Sequence, residues 1–477
     1  MAERASLVHH IEELKADAVR VGRPRVMAQF VLVMITVGWI ISTLGACMPL
    51  LKYFNYAGIS VFEQAALVTS AFLAAAPGIY LSQNLDEKGI SSRKLVSLAM
   101  VVAALALLLA AVQPTFWALE GAVVVGGAAC GAAVSAAGKY IRQIMPSTLR
   151  GRFYVIGDLG LLSGILLGLS ITATWAWLNE IETVDMPSFL SGPSPLFFFP
   201  VLPALVGAGA SFVGPESPVL LIRQHKGEQA LAALVKIRSG SAARIAREFG
   251  RMEILASVTD ETVGRRKAQY SSPRQKTMTR SAIVAAFGLH STGVGIIFLF
   301  GIAICSWTGT SMTISVIVGM GAVACALFGL IFRVYGFLPE SLALGTSRRQ
   351  SLLVGGVTSI VALLALGLTF AVVVPHFWGA WTLVAAIFFA HTLIVIMVMF
   401  PASNSLTRAH TPGPVRARAN ATSLVVLGLS LGLFLLVADH FGAGVAFFAM
   451  AAVDALATVG VARVVPPPPQ VLGRRGR

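Results

Sequence analysis

Four ionisable side chains stand in stretches of sequence that are otherwise apolar: Asp158, His290, His391 and Asp454. A carboxylate at the centre of a bilayer-spanning helix costs about 2.5–3.5 kcal/mol on insertion scales, so each such residue calls for a compensating role. The chemistry open to these groups is narrow. A carboxylate can take up a proton or pair with a cation, and an imidazole can change charge near neutral pH. Asp158 and His290 are the leading candidates for contact with a solute or a proton, and His391 and Asp454 are further ones. The structural alternatives are an ion pair of Asp158 with Arg150 or Arg152 and ordinary hydrogen-bonded packing of the histidines. Trp39 and Trp381 could line a cavity, although core packing or anchoring at the membrane interface also accounts for them. Glu63 and Glu120 fall nearer the ends of their apolar runs, within reach of water.

A second set of charges clusters at the ends of those runs: Asp86, Arg93, Arg150, Glu216, Glu340, Arg348, Arg349 and Arg416. Opposite charges there can pair between helices in one conformation and separate in another, which sets the balance between the two states. The plainer reading is solvated surface pairs of small individual worth. Other chemistries find no support. There is no Walker A sequence, no His-Glu-X-X-His and no Cys-X-X-Cys. An enzyme, a bound metal and a cofactor are therefore not expected. The four cysteines, Cys47, Cys130, Cys305 and Cys325, fall in apolar runs and are expected to pack as small hydrophobes.

The elements that must position these residues follow from composition. Of 477 residues, 56% are hydrophobic and only 12% charged, against about 25% charged in a soluble domain. That excludes a soluble globular protein and a disordered chain, and leaves an all-α integral membrane protein. The apolar runs are continuous rather than alternating, which argues against a β-barrel. Twelve runs are long enough to span: about 27–50, 61–82, 95–113, 116–138, 153–177, 196–214, 281–306, 311–335, 351–374, 378–402, 420–438 and 442–464. The net charge of +15 would suggest nucleic acid in a soluble protein; here it is read as loop charge, and no nucleic-acid partner is expected. With the N-terminus placed in the cytoplasm, every Lys and Arg except Lys52 falls on the inner side. Both termini are thus expected to be cytoplasmic. No cleavable signal peptide is expected, because Met1 to Arg25 is polar and resembles a short amphipathic helix.

The longest polar stretch separates the spans into two sets of six. The expected organisation is a segment over 1–26, a six-helix half over 27–217, a linker over 218–280, a second half over 281–464 and a tail over 465–477. Helical texture in Glu228 to Arg238 and in Ala243 to Leu255 predicts short amphipathic helices within the linker. Two such halves around a central linker describe the major facilitator architecture. Arginine-rich, alanine-rich usage points to a GC-rich bacterial genome, and hence to the inner (plasma) membrane.

Two segments carry a more specific signal. Pro215-Glu-Ser-Pro218 closes the sixth span and is followed by Gly227-Glu-Gln-Ala-Leu-Ala-Ala-Leu-Val-Lys-Ile-Arg238. Tyr140-Ile-Arg-Gln-Ile-Met-Pro146, then Leu149-Arg150-Gly151, then Asp158-Leu159 and Gly164, lies between the fourth and fifth spans. Together they resemble the sugar porter branch of the major facilitator superfamily, with its Pro-Glu-Ser-Pro-Arg element and its Tyr-X-X-Glu-X-X-Pro…Arg-Gly…Gln-Leu…Gly pattern. Val219, Gln143 and Asp158 depart from that pattern where the branch has Arg, Glu and Gln. Weaker matches lie at Asp86 to Lys94, at Gly345 to Arg349 with Glu340 upstream, and at Pro412 and Arg416.

The resemblance implies alternating-access transport of a small organic solute in the lipid bilayer, driven secondarily or by the solute gradient alone. It places Asp158 and His290 at substrate-facing positions. It also implies losses: Leu289 replaces one of two adjacent sugar-binding glutamines and Ile40 stands near the position of an aspartate in the first span. So the sugar is implied less strongly than the transport. Proton coupling through Asp158 or His290, as symport or antiport, and a monomeric state are expected. The alternatives are a drug or metabolite exporter of the same fold, or a membrane receptor that kept the fold without transporting.

Overall fold

The computed structural model describes residues 8–14, 22–53, 59–112, 115–145, 150–180, 194–238, 241–254, 273–334, 347–409 and 413–467. The described residues contain no strand and hold twelve helices long and apolar enough to cross a membrane. In chain order they are α1 (Gly22–Tyr53), α2 (Val61–Glu87), α3 (Ser92–Val112), α4 (Phe116–Ile144), α5 (Arg150–Glu180) and α6 (Ser194–Phe198 and Val201–Val213). There follow α7 (Pro273–Ser291 and Val294–Ser306), α8 (Met312–Val334), α9 (Arg348–Leu368), α10 (Ala380–Ile394 and its continuation), α11 (Gly413–Phe441) and α12 (Ala443–Val464). All twelve expected spans are present as helices. The end of the first unit that carries Asp86, Arg93 and Glu216 is called the basic end below.

α3 shows why these helices suit a bilayer. Leu98, Val101, Leu105, Leu109 and Val112 are exposed along one stripe, while Ala99, Ala103, Ala106 and Ala110 are buried on another. Large apolar side chains point outward and small ones inward, the arrangement expected where lipid replaces water and helices attract by close packing. Two very close approaches join α2 and α4. A Cβ at Gly78 would run into the carbonyl oxygen of Ala128, and a Cβ at Gly131 into that of Ala75. Backbone meets backbone there, and only glycine leaves the room.

The helices differ from the apolar runs in instructive ways. α2 continues to Glu87, α4 to Ile144, and α11 begins at Gly413. Hydropathy ends where lipid ends, but backbone hydrogen bonding carries on for another turn or two of polar sequence. α7 is not continuous. It breaks at Thr292 and Gly293, where Gly293 takes a φ of +74°, a conformation that side chains with a Cβ resist. In α10, π turns at Val395–Met399 and Ser405–Ala409 flank Phe400–Asn404. Pro401 lacks the N–H that would continue the ladder, and local widening absorbs the loss.

By internal contacts the chain divides into two compact units: Met1–Ile41 with Ala74–Gly164 and Ser194–Gln275, and Ser42–Leu73 with Ile165–Pro193 and Lys276–Arg477. Four of the boundaries fall inside α1, α2, α5 and α7.

In the first unit the linker helices Pro218–Arg223 and Gly227–Ile237 and the helix over 242–254 bury their apolar faces in a common core with the helix over 8–14. Ile11, Leu221, Leu231, Leu234, Ile245 and Phe249 are its centre. Arg238, buried, clamps Glu248 with its Nε 3.0 Å from both carboxylate oxygens, a bidentate pairing. A charge at Ile11 has no partner in this core. Ile11→Asp is therefore expected to release the segment over 8–14, read as faster proteolysis before residue 22 with the remaining chain intact.

Candidate functional site

The charged cluster at the basic end is built from four helices of the first unit. Asp86 sits in the last turn of α2, where the chain turns through Gly89 at a φ of +83° and enters α3 at Ser92. The Asp86 carboxylate is 8% exposed. It accepts the Ser92 hydroxyl at 3.0 Å and an ammonium hydrogen of Lys139, from the last turns of α4. One residue further along α3, Arg93 reaches the other way. Its guanidinium pairs with Glu216 at 2.8 Å, donates to the carbonyl oxygen of Gly214 and stands 6.0 Å over the Phe212 ring. Tyr140 donates its hydroxyl to the carbonyl oxygen of Pro215 at 2.7 Å, which ties α4 to the same turn. That turn holds its shape through Ser217, whose side chain caps the helix Pro218–Arg223 with Pro218 at its first position.

The result is a lattice in which α2 and α4 are joined by one ion pair, and α3 and the end of α6 by another. A cavity of about 780 Å³ opens beside it, lined by Ser91, Arg93, Lys94, Gln224, Lys226 and Lys236 among others.

The other charges expected to act with this cluster are placed as follows. Arg349 is half-buried and donates to the carbonyl oxygen of Ala462 at 2.6 Å, fastening α9 to α12. Arg348, next to it, is exposed. Arg416 is buried near the start of α11. Arg150 begins α5, but its side chain lies outside the described residues, as does Glu340.

Among the residues within the spans, Asp158 is buried in α5. Its helix approaches α1 through Gly157 and Gly160, which press on Phe30, Met34 and Val31. His290 is half-buried one residue before the end of the first segment of α7. Trp39 and Trp381 are half-buried on α1 and α10. His391 and Asp454 are both buried, on α10 and α12, and the second unit brings them into one polar cluster. Asp454 accepts the Ser291 hydroxyl at 2.9 Å. Ser359 of α9 hydrogen-bonds His391 Nε2 at 3.1 Å and is the second hydroxyl beside Asp454. Asp158 and His290 are on the same respective units as nothing else in their own candidate pair: Asp158 belongs to the first, His290 to the second.

Sequence reasoning missed Lys139, Ser92, Ser291 and Ser359. Lys139 was counted only as a loop charge. Hydroxyl residues in apolar helices give no charge signal at all.

The profile of a family described as "Sugar (and other) transporter" matches residues 26–467. Among curated proteins, the glucose transport protein of Synechocystis sp. is 33% identical over 129 residues, 26% of this chain and 27% of that protein. The solute carrier family 2, facilitated glucose transporter member 12 of Danio rerio is 30% identical over 179 residues, 37% of this chain and 26% of that protein. Each alignment spans about a quarter of the relative's own length. Among solved structures, the proton:xylose symporter XylE bound to 6-bromo-6-deoxy-D-glucose superposes with a TM-score of 0.69 at 15% identity, covering 93% of this chain and 95% of that one. A partially occluded inward-open conformation of XylE from E. coli gives 0.68, also at 15% identity. The likeness in structure establishes the major facilitator fold.

Proposed function

Because the chain belongs to the sugar (and other) transporter family, we propose that it carries a small organic solute across the membrane by alternating access. Sugars are the first class to test, since the relatives named above are glucose transporters and a xylose symporter. The basic end is the cytoplasmic one, with both termini on that side of the plasma membrane. The functional halves are 27–217 and 281–464, joined by the linker over 218–280, in a monomer. Asp158 and His290 face the solute.

The observation that carries this reading is the lattice of Asp86–Lys139 and Arg93–Glu216 pairs. Three of its four members, Asp86, Arg93 and Glu216, stand where the family resemblance puts its charged loop elements, and it fastens helix ends by bonds that can be exchanged. A fold kept only as a receptor has no need of interhelical charges at that end. The pairs set how long the end stays closed, so weakening them changes the populations of the two access states.

The test is uptake of labelled glucose, xylose and polyols into proteoliposomes. Saturable uptake of one compound is expected. Arg93→Ala and Glu216→Gln are each expected to change its rate by about tenfold, the factor that 1.4 kcal/mol makes. Equal rates in wild type and both variants would remove the lattice from the transport cycle. Asp158→Asn is expected to raise the half-saturating concentration, and an unchanged value would return Asp158 to a structural role.

A further inference from the structure

The polar cluster in the second unit has features that packing does not explain. Asp454 is fully buried, and so is Ser359; His391 is 2% exposed. They sit on three different helices, with Ser291 on a fourth. One oxygen of the Asp454 carboxylate, Oδ1, accepts the Ser291 hydroxyl. The other, Oδ2, has no partner among the described residues, and neither has Nδ1 of His391. Buried polar atoms are almost always satisfied, so an orphan oxygen on the carboxylate and an orphan nitrogen on the imidazole mark something that the protein alone does not supply. The hydroxyl of Ser359 links the two titratable groups, because it contacts His391 Nε2 and stands beside Asp454.

Among the described residues of the second unit, no fixed charge neutralises the carboxylate. On the surrounding helices the nearest described charges lie far along the axes. Arg463 is nine residues from Asp454 on α12, Arg349 ten from Ser359 on α9, and Arg280 eleven from Ser291 on α7. At 1.5 Å per residue those are separations of about 13–17 Å. α11 carries Arg416, Arg418, Asp439 and His440 only at its two ends, and α8, which packs on α10, carries Arg333 only at its last turn. α10 adds Arg408, in the last turn of its continuation. His290 neighbours Ser291 in sequence but leaves the helix about 100° round from it. An ionised carboxylate without a counter-charge in such surroundings is expensive, and the cheapest remedy is a proton.

The geometry points to Asp454, Ser359 and His391 as a proton-binding site within the spanning helices. The proton forms an O–H bond at Asp454 Oδ2, comes from water on one side of the membrane and returns to water on release. Ser359 passes the change in hydrogen bonding on to His391. The role of the site as the group through which a proton gradient drives the cycle rests on the transport reading above. Its location is α9, α10 and α12 of the second unit, whereas Asp158 belongs to the first.

The experiment is a pH titration of the purified full-length protein in lipid, followed by infrared difference spectroscopy. A carbonyl stretch of a protonated carboxylic acid that appears and disappears with pH is expected. It should be lost in Asp454→Asn and retained, with a displaced midpoint, in Asp454→Glu, Ser359→Ala and His391→Gln. The same titrating band in Asp454→Asn, in protein that elutes as wild type does, overturns the site. So does a band unmoved by both Ser359→Ala and His391→Gln. The second arm imposes a proton gradient on proteoliposomes loaded with a compound that the wild type exchanges. Asp454→Asn is expected to keep the exchange and lose its response to the gradient. A band that behaves as expected with no compound moved is a failure of the transport reading and leaves the proton site standing. A wild type indifferent to the gradient leaves the site standing and removes its coupling role.

Discussion

Lys139→Ala is expected to destabilise the protein by about 3 kcal/mol, the lower part of the range for removing one partner of a buried ion pair. The Asp86 carboxylate is almost wholly buried and has two donors, Ser92 and Lys139. Removing the ammonium leaves the charge with one hydroxyl. Lys139 is itself a quarter exposed, at 26%, so water offsets part of the loss. Asp86→Asn is expected to cost less, because the amide oxygen still accepts from Ser92 and the freed ammonium can turn to solvent. The double variant Asp86→Asn with Lys139→Ala is then more stable than Lys139→Ala alone. Chemical denaturation in mixed micelles measures all three. Additive losses would show that the carboxylate does not depend on its ammonium partner.

Gly131→Leu and Gly78→Leu are expected to prevent recovery of monodisperse protein. At each position the first carbon of a side chain already overlaps a carbonyl of the facing helix, and a leucine adds three more. Overpacking in a fixed core costs about 1–3 kcal/mol when side chains can give way. Here the obstacle is backbone, so α2 and α4 have to separate along their length. Gly209→Ala is the control, since its new methyl group meets nothing within 4 Å. It is expected to be neutral or to gain up to about 1 kcal/mol from the stiffer chain. Size-exclusion profiles of the three variants decide the matter. A Gly131→Leu protein that behaves like Gly209→Ala would mean that the crossing is looser than drawn here.

The twelve helices were legible because a bilayer demands long apolar runs, and this demand is written locally. Orientation signals are local too, which is why Asp86, Arg93 and Glu216 stood out as charges at one set of ends. Their partners were not legible. Lys139 lies 53 residues from Asp86, and only the register of α2 against α4, fixed by Gly78 and Gly131, sets the two side by side. The break in α7 hides behind a Ser-Thr-Gly run that hydropathy treats as ordinary span. His391 and Asp454 were visible singly, as costly residues in apolar surroundings. Their association was not, because the link is a serine, and a serine in a membrane helix is too common to be a sign of anything.

The helix over 8–14 has a consequence for how the protein is made. Its partners in the core, Leu221 to Phe249, lie more than 200 residues further along the chain. At a synthesis rate of about 5–20 residues per second, the helix waits on the order of ten seconds or more, while six spans are threaded into the bilayer. Through that interval Ile11 and its neighbours have no apolar surface of their own chain to cover them. A segment made before the first span is thus completed only after the sixth, and its docking reports that the first six spans and the segment after them have all arrived.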